Sequence, residues 1–249
     1  YPGITLKVNH FVLQTIVGVE EAYRFKRKGI MRTVGGGFRD LFMFRLRSVI
    51  KRILVILFIR KDEYDIFDKL IDFMKRHRVA FKFMFQLSDF SAYDKNVSHQ
   101  RKQFQSLIKS VADYAEVGLL LGKFSTQRKD LLLTEKKRME SIVNRPLKSI
   151  LNIKYPMNLP ETQNNIADLE IPNTFSMGYP ETIGFRAGTC TPFLFYDINL
   201  ERITPVKLHP YVANSLCVRE ENFNEISVEL IEIGNTLKNL GGKMNLVFC

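Results

Sequence analysis

Short apolar runs alternate with longer amphipathic segments over most of the chain. The short runs are rich in β-branched and aromatic residues, which predicts strands over 11–17, 79–87, 117–121, 149–153 and 243–249. In the longer segments apolar residues recur at helical spacing, which predicts helices over 62–78, 99–115, 126–145, 160–169 and 221–240. This order predicts right-handed βαβ units and a mostly parallel α/β sheet, either open or closed as a barrel.

In folds of this class the functional site lies where the parallel strands end, so the residues that follow each strand are the first candidates for chemistry. The 249 residues suit a single domain, 1–249, that buries one sizeable core. A hydrophobic fraction of 45% and a charged fraction of 25% are ordinary for a globular protein, so disorder is not expected.

Segment 38–61 departs from the alternating pattern. Its longest uncharged apolar run, residues 53–59, is too short to span a bilayer, and Arg or Lys residues interrupt the rest. The spacing predicts a basic amphipathic helix. Such a helix either covers the protein's own barrel or makes a peripheral contact with a membrane or a partner.

The net charge of +11 is concentrated in the same part of the chain. Twelve of the 37 Lys and Arg residues, but one of the 26 acidic residues, lie between Arg24 and Lys61. Such a field attracts phosphate groups, anionic lipids or acidic polysaccharides. No aromatic platform or recognised nucleic-acid motif accompanies it, so a solvated helix face is favoured over a nucleic-acid partner.

The cysteines are Cys190, Cys217 and Cys249, an odd number without a CxxC pair. They predict neither a disulfide framework nor a cysteine-rich zinc site, and they favour a reducing compartment such as the cytoplasm. The first residues also lack the features of a secretory signal. The sequence indicates no oligomeric state.

The stretch 184-GFRAGTCTPFLFYD-197 has two interpretations. Gly184, Gly188 and Pro192 before an aromatic run are typical of a tight turn that enters a strand. Alternatively, the stretch forms the wall of a pocket, with Arg186 offering a planar fork of donors and Thr189 a hydroxyl.

This stretch also resembles a signature of bacterial polysaccharide deacetylase-like proteins, which are relatives of carbohydrate esterase family 4. Further segments resemble the same family in the same order, namely 22–41, 62–73, 94–118, 176–193 and 205–210. The resemblance implies a distorted (β/α) barrel whose active members hold a divalent metal, usually zinc, and remove acetyl groups from N-acetylated sugars. That reaction needs a metal-activated water, a carboxylate base and an acid that protonates the leaving amine.

The sequence departs from the family pattern at the positions that carry this chemistry. Where the family has an Asp-x-Asp pair after the first strand, this chain has Gly18 and Glu20. Apolar residues occupy the positions of a metal-binding histidine, of an Arg-x-His motif and of a histidine in the last strand: Leu120, Leu151 with Ile153, and Phe248. Losing such ligands removes most of the affinity for a metal, so neither a metal site nor another cofactor is predicted.

If activity remains, Glu20 and His209 are the candidate catalytic residues, with zinc or another divalent metal as cofactor. The retained signature implies a substrate-binding set of Arg186, Thr189, Tyr196 and His209. A retained wall of this kind either binds carbohydrate or holds the barrel closed.

The leading hypothesis is an inactive deacetylase-like domain with a carbohydrate-binding or scaffold role in polysaccharide metabolism. One alternative is an active metal-dependent N-deacetylase with a rearranged site. The other is a membrane- or partner-docking protein that works through segment 38–61.

Overall fold

The computed structural model describes residues 10–24, 42–44, 46–57, 59 and 61–249. Within these residues the strands are β1 (Val12–Val19), β2 (Phe81–Phe85), β3 (Glu116–Leu120), β4 (Ser149–Leu151), β5 (Asn173–Ser176), β6 (Phe193–Asp197), β7 (Arg202–Pro210), β8 (Ala213–Asn214) and β9 (Lys243–Phe248). The helices are α1 (Leu46–Ile56), α2 (Phe67–His77), α3 (Lys102–Ala112), α4 (Lys129–Val143), α5 (Glu161–Asp168) and α6 (Phe223–Leu240), and a short 3-10 helix, Glu220–Asn222, precedes α6.

All the strands belong to one sheet, in the order β6-β7-β5-β4-β3-β2-β1-β9-β8. Every neighbouring pair is parallel except β6 and β7. The first strand lies between β2 and β9, and β3 follows β2, which confirms that the strands predicted at 11–17, 79–87, 117–121 and 243–248 are neighbours in one parallel sheet.

One continuous segment of the chain joins the two ends of this sheet. The strand β7 pairs with β5, while β8, which begins directly after Tyr211 and Val212, pairs with β9. Two hydrogen bonds strengthen the junction, from the Asn245 side-chain amide to the Pro210 carbonyl at 2.6 Å and from the Val212 amide to the Asn245 carbonyl at 3.0 Å. The sheet therefore closes into a distorted barrel, which is one of the two forms that the α/β pattern allows and the one that the family resemblance implies.

Apolar side chains fill both the inside and the outside of the barrel. The inner cluster consists of Ile16, Met84, Leu120, Leu151, Phe175, Tyr211 and Val247. A larger cluster lies between the sheet and the helices, and its fully buried members include Phe83, Phe85, Phe104, Ile108 and Met139. Alternate residues of each strand thus face opposite clusters, and this fixes which side chains point into the barrel.

Within segment 38–61 the structure describes one helix, α1 (Leu46–Ile56). Positions 38–41, 45, 58 and 60 of that segment lie outside the described residues. Among the residues that the structure does describe, no helix is long and apolar enough to cross a membrane.

Candidate functional site

A cavity of about 1140 Å³ opens where β1 and β9 end. Its polar part is lined by residues at these strand ends and in the loops after β2, β4 and β8: Gly18, Glu20, Glu21, Ala92, Tyr93, Lys95, Lys154, Tyr155, Ser215 and Cys249. An apolar part continues between β1 and α2, past Val17, Ile66, Phe67, Leu70, Phe73 and Phe81. The cavity thus includes the carboxyl ends of the strands, where the sequence places the site.

Gly18 and Cys249 face each other at the floor of the cavity. A Cβ atom built on Gly18 would lie 2.3 Å from the Cys249 Sγ, 3.5 Å from a Leu151 methyl carbon and 3.7 Å from a methyl carbon of Ile153. The thiol therefore occupies the space into which a side chain at position 18 would project. No carboxylate fits there while the sulfur holds this place.

The neighbouring Phe248 does not face this point. It is in register with Val17, which packs against the outer cluster, and its ring is half-exposed. Paired residues of parallel strands lie on the same face of the sheet, so Phe248 lies on the outside and Cys249 turns inward. The family resemblance assigned the position of the last-strand histidine to Phe248. The structure instead brings Cys249 to the site.

The environment of Cys249 keeps its thiol neutral. Burial of the sulfur and the carboxylate of Glu20 together raise the pKa of the Cys249 thiol to about 12, although the residue as a whole is exposed. A thiol with such a pKa is protonated at neutral pH and is a poor nucleophile. In this arrangement the Cys249 side chain fills space beside Gly18.

Glu20 lies at the rim of the cavity. Its carboxylate pairs with the Lys154 ammonium at 2.9 Å, and both side chains are more than a third exposed. An exposed pair of this kind contributes at most about 1 kcal/mol to stability. Of the residues that the sequence analysis predicted for catalysis or binding, Glu20 is the one that lines this cavity.

The residues at this mouth do not fit the zinc ion that the family resemblance implies. Leu120 and Leu151 belong to the apolar cluster inside the barrel, and Gly18 has no side chain that could bind a metal. In the part of the chain that the structure describes, no three His, Cys, Asp or Glu residues lie together as a metal-binding group. A zinc site with several protein ligands cannot be assembled from these side chains.

Two tyrosines stand beside the polar part of the cavity. The Tyr155 hydroxyl donates to Oδ1 of the buried Asp94 at 2.9 Å, and this carboxylate also accepts from the Gln86 side chain at 2.7 Å. Burial and the hydrogen bond to Asp94 raise the pKa of Tyr155, so the hydroxyl remains a donor. The Tyr93 ring is half-exposed, with the Lys123 ammonium 3.3 Å from its centroid. Both rings are thereby held in defined positions.

His209 lies towards the other end of the barrel. Its ring stacks on Phe175 with centroids 4.7 Å apart, and its Nε2 is 2.9 Å from Oδ1 of Asn173. Burial, together with lysines such as Lys243 at the amino end of β9, lowers the pKa of His209 to about 4. Because Glu20 follows the carboxyl end of β1, the structure does not bring the two predicted catalytic residues together.

The signature stretch begins with a loop, 184–192, that covers the junction of β8 and β9. The Gly184 amide donates to the Val212 carbonyl at 2.8 Å, and Gly188 has φ of 69°, a conformation that favours glycine. Three side chains of this region pack against the apolar cluster beneath α6, namely Ile183, Phe185 and Cys190. The turn interpretation therefore describes the backbone, and the loop helps to hold the barrel closed.

The other predicted binding residues do not meet at the cavity. Arg186 is exposed, Thr189 accepts a hydrogen bond from the Thr191 amide at 3.0 Å, and Tyr196 is exposed on the edge strand β6. None of these side chains lines the cavity. The charge of Arg186 nevertheless acts on the buried phenol of Tyr211, so this side chain lies near the inner cluster, while the apolar residues of the loop pack beneath α6.

Sequence reasoning missed Tyr93, Asp94 and Tyr155. A usable signal existed, because Tyr93 and Asp94 follow the predicted strand 79–87 and Tyr155 follows the strand 149–153. Residues in these places are expected at the site edge of a parallel sheet.

The fold is similar to that of known deacetylase-like structures. A protein from Mycobacterium smegmatis assigned as a polysaccharide deacetylase matches with a TM-score of 0.58 and 11% identity, over 99% of this chain and 79% of that chain. Weaker matches are a carbohydrate esterase family 4 pseudoenzyme from Bacillus anthracis, with a TM-score of 0.41, 10% identity and coverage of 96% and 65%, and IcaB from Ammonifex degensii, with a TM-score of 0.42, 11% identity and coverage of 88% and 96%.

Sequence-based comparison added nothing to these structural matches, because neither a protein-family model nor a curated protein sequence matched. At 11% identity the match to the Mycobacterium smegmatis protein shows the fold alone. The chain therefore has the polysaccharide deacetylase fold that the sequence signature implies.

Proposed function

We propose that this protein binds carbohydrate in the cavity at the strand ends and does not deacetylate it. The observation that carries the proposal is the contact between Gly18 and Cys249. Position 18 would hold the carboxylate base of an active relative, and the Cys249 thiol fills that space. Leu151 and Ile153 surround the same point, so the described side chains around position 18 offer no group that activates water or protonates an amine.

Two features of the cavity support sugar binding. Carbohydrates present both hydroxyl groups and apolar C–H faces, and Tyr93 and Tyr155 offer rings for those faces. Glu20 and Lys154 offer an acceptor and donors for hydroxyls at the rim. A fold shared with a protein assigned as a polysaccharide deacetylase supports an N-acetylated polysaccharide as the class of ligand.

The test measures binding and turnover on the same preparation. Calorimetry with N-acetylglucosamine oligomers should detect binding, and acetate release should stay at background with zinc, cobalt or manganese added. Metal-dependent acetate release would overturn the proposed inactivity and favour an active enzyme with a rearranged site. Absence of detectable binding to these oligomers would overturn the proposed ligand class.

Two tyrosine variants, Tyr93→Ala and its control Tyr114→Ala, test whether the sugar binds in this cavity. Tyr93→Ala should weaken oligomer binding about fivefold to tenfold, which corresponds to the loss of one aromatic contact. Tyr114→Ala is the matched control, because Tyr114 is 54% exposed against 50% for Tyr93 and also has a lysine ammonium over its ring, at 4.0 Å. Tyr114 does not line this cavity, so its replacement should leave affinity unchanged.

Arg186→Ala separates the cavity from the signature loop. The Arg186 side chain is exposed and outside the cavity, so its removal should change neither oligomer affinity nor melting temperature. If Arg186→Ala lowers affinity while Tyr93→Ala does not, the sugar binds at the loop and the assignment to the cavity is wrong.

A further inference from the structure

The helix α1 presents an apolar stripe to solvent. Ile50, Ile53 and Leu57 recur at spacings of three and four residues along α1 and the residue after it, and they are 57%, 50% and 60% exposed. Residues at these spacings lie on one face of a helix. Val55, which lies on a different face, is 1% exposed. The helix thus packs on the protein through one side while three large aliphatic side chains remain in water.

A charged side chain of the same helix points towards the protein. The Lys51 ammonium lies 2.7 Å from Oε1 of Glu63, a carboxylate that is also paired with Arg24. A surface helix normally turns its apolar face to the core and its charges to solvent. In α1 the exposed stripe is apolar and Lys51 is engaged with the protein body, so packing against its own barrel does not explain the stripe.

Further apolar residues beside the helix are also exposed. Phe42, Met43 and Phe44 precede α1 and are 86%, 55% and 89% exposed, and Ile59 follows it at 69%. Exposed apolar side chains in such number mark a surface that binds something. We name this surface the apolar face, comprising Phe42, Met43, Phe44, Ile50, Ile53, Leu57 and Ile59.

The positive charge of the surrounding sequence favours an anionic bilayer over a second copy of the chain as the partner of the apolar face. Twelve basic residues and a single acidic one lie between Arg24 and Lys61. A second copy of the chain would bring two such segments together, which like-charge repulsion opposes. An anionic bilayer attracts basic residues beside an apolar helix face, and its headgroup region accepts the apolar side chains.

We propose that the apolar face docks this protein onto the surface of an anionic lipid bilayer. The helix α1 lies in the plane of the interface, with Ile50, Ile53 and Leu57 among the headgroups and upper acyl chains. The net positive charge of segment 24–61 attracts the anionic headgroups. The protein is held peripherally, since α1 has 11 residues and is too short to span a bilayer.

Vesicle co-sedimentation tests the proposal with the whole chain. The protein should bind vesicles made of equal parts phosphatidylglycerol and phosphatidylcholine, and should bind phosphatidylcholine vesicles far more weakly. The double variant Ile53→Gln/Leu57→Gln should lower the partition coefficient about tenfold or more, because two apolar side chains no longer enter the interface. Ile231→Gln, at an isoleucine of α6 that is 63% exposed, should bind like the wild type.

A second variant tests the electrostatic part. Lys26→Gln/Arg27→Gln/Lys28→Gln should weaken binding to the anionic vesicles by up to about fivefold for each charge removed. Circular dichroism should show that all variants are folded. Wild-type protein that ignores both vesicle types, or a double variant that binds like the wild type, would overturn the proposal. So would a dimer in light scattering that Ile53→Gln/Leu57→Gln converts to a monomer, because a second copy would then cover the apolar face.

Discussion

The ring of Tyr211 lies directly against Gly178, so that a Cβ atom at position 178 would be 1.9 Å from the Tyr211 Cε2. Tyr211 is buried inside the barrel and belongs to the chain segment that joins β7 to β8. Gly178 follows β5, so the contact connects two neighbouring parts of the barrel wall at the place where the sheet closes. The absence of a side chain at this glycine is therefore a requirement of closure.

Gly178→Ala should destabilise the protein by about 2–4 kcal/mol, because a buried ring has no room to move. Gly234→Ala is the control. Gly234 lies in α6, and the nearest atom to its added Cβ would be the Met244 sulfur at an ordinary 3.5 Å. Alanine there should stabilise by about 0.5–1 kcal/mol through its higher helix propensity. Urea denaturation measures both changes, and equal effects of the two substitutions would contradict this account.

The contact between Gly18 and Cys249 predicts a coupled effect on stability. Gly18→Ala should cost about 1–2 kcal/mol, since the new methyl group collides with the Cys249 sulfur. In the double variant Gly18→Ala/Cys249→Gly this cost should largely disappear. A double-mutant cycle by urea denaturation gives the coupling energy between the two positions. Additive effects would show that the sulfur leaves its place without cost.

Most strands of the barrel could be predicted from the sequence. The run 117–121 is apolar on both faces, and in 79–87 Lys82 and Gln86 are the polar exceptions, because parallel strands are covered from inside and outside. The closing segment around β8 carries no such signal. It has two residues, and its pairing with β9 depends on Tyr211 and Val212 reaching across the barrel, which is a tertiary property.

The sequence predicted which residue types occupy the candidate site, but not how their side chains are oriented. The residue types at Gly18, Leu120 and Leu151 already indicate that polar groups of the family pattern are absent. What fills the vacated space depends on the direction of side chains at the end of β9, where Cys249 points inward and Phe248 outward. The packing of Ile183, Phe185 and Cys190 beneath α6 is likewise a tertiary property, which the motif alone does not specify.

Glu135 predicts a loss of stability at rising pH. Its side chain is buried on α4, and burial raises the pKa of this carboxyl to about 8 from a usual 4.5. Between pH 4.5 and 8 the folded protein keeps a proton that the unfolded chain has released, so the free energy of unfolding falls as pH rises. The advantage of Glu135→Gln over the wild type should therefore grow by about 2–4 kcal/mol across this range.

Urea denaturation of both proteins at several pH values measures this difference. Asp94 contributes in the same direction as burial, while a hydrogen bond from Ser125 and the charge of Arg138 act against it. A constant difference between Glu135→Gln and the wild type over the whole range would show that Glu135 is ionised in the folded state.

His209 predicts a pH dependence of the opposite sign. Burial, together with the positive charges of Lys243, Lys207 and Lys82, lowers the pKa of His209 to about 4 from a usual 6.5. Between these values the unfolded chain binds a proton that the folded protein excludes, so stability is lost as the pH falls from 6.5 to 4. His209→Gln should remove this loss, which is on the order of 2 kcal/mol, and keep a side chain able to hydrogen-bond Asn173. In the wild type the slope from His209 opposes that from Glu135, so each contribution is visible only through its own variant.

A proton NMR titration of the folded protein, with the His209 ring signal assigned from its absence in His209→Gln, measures the pKa directly. A midpoint near 6.5 would show that water reaches the ring and that the amino end of the barrel is open at this position.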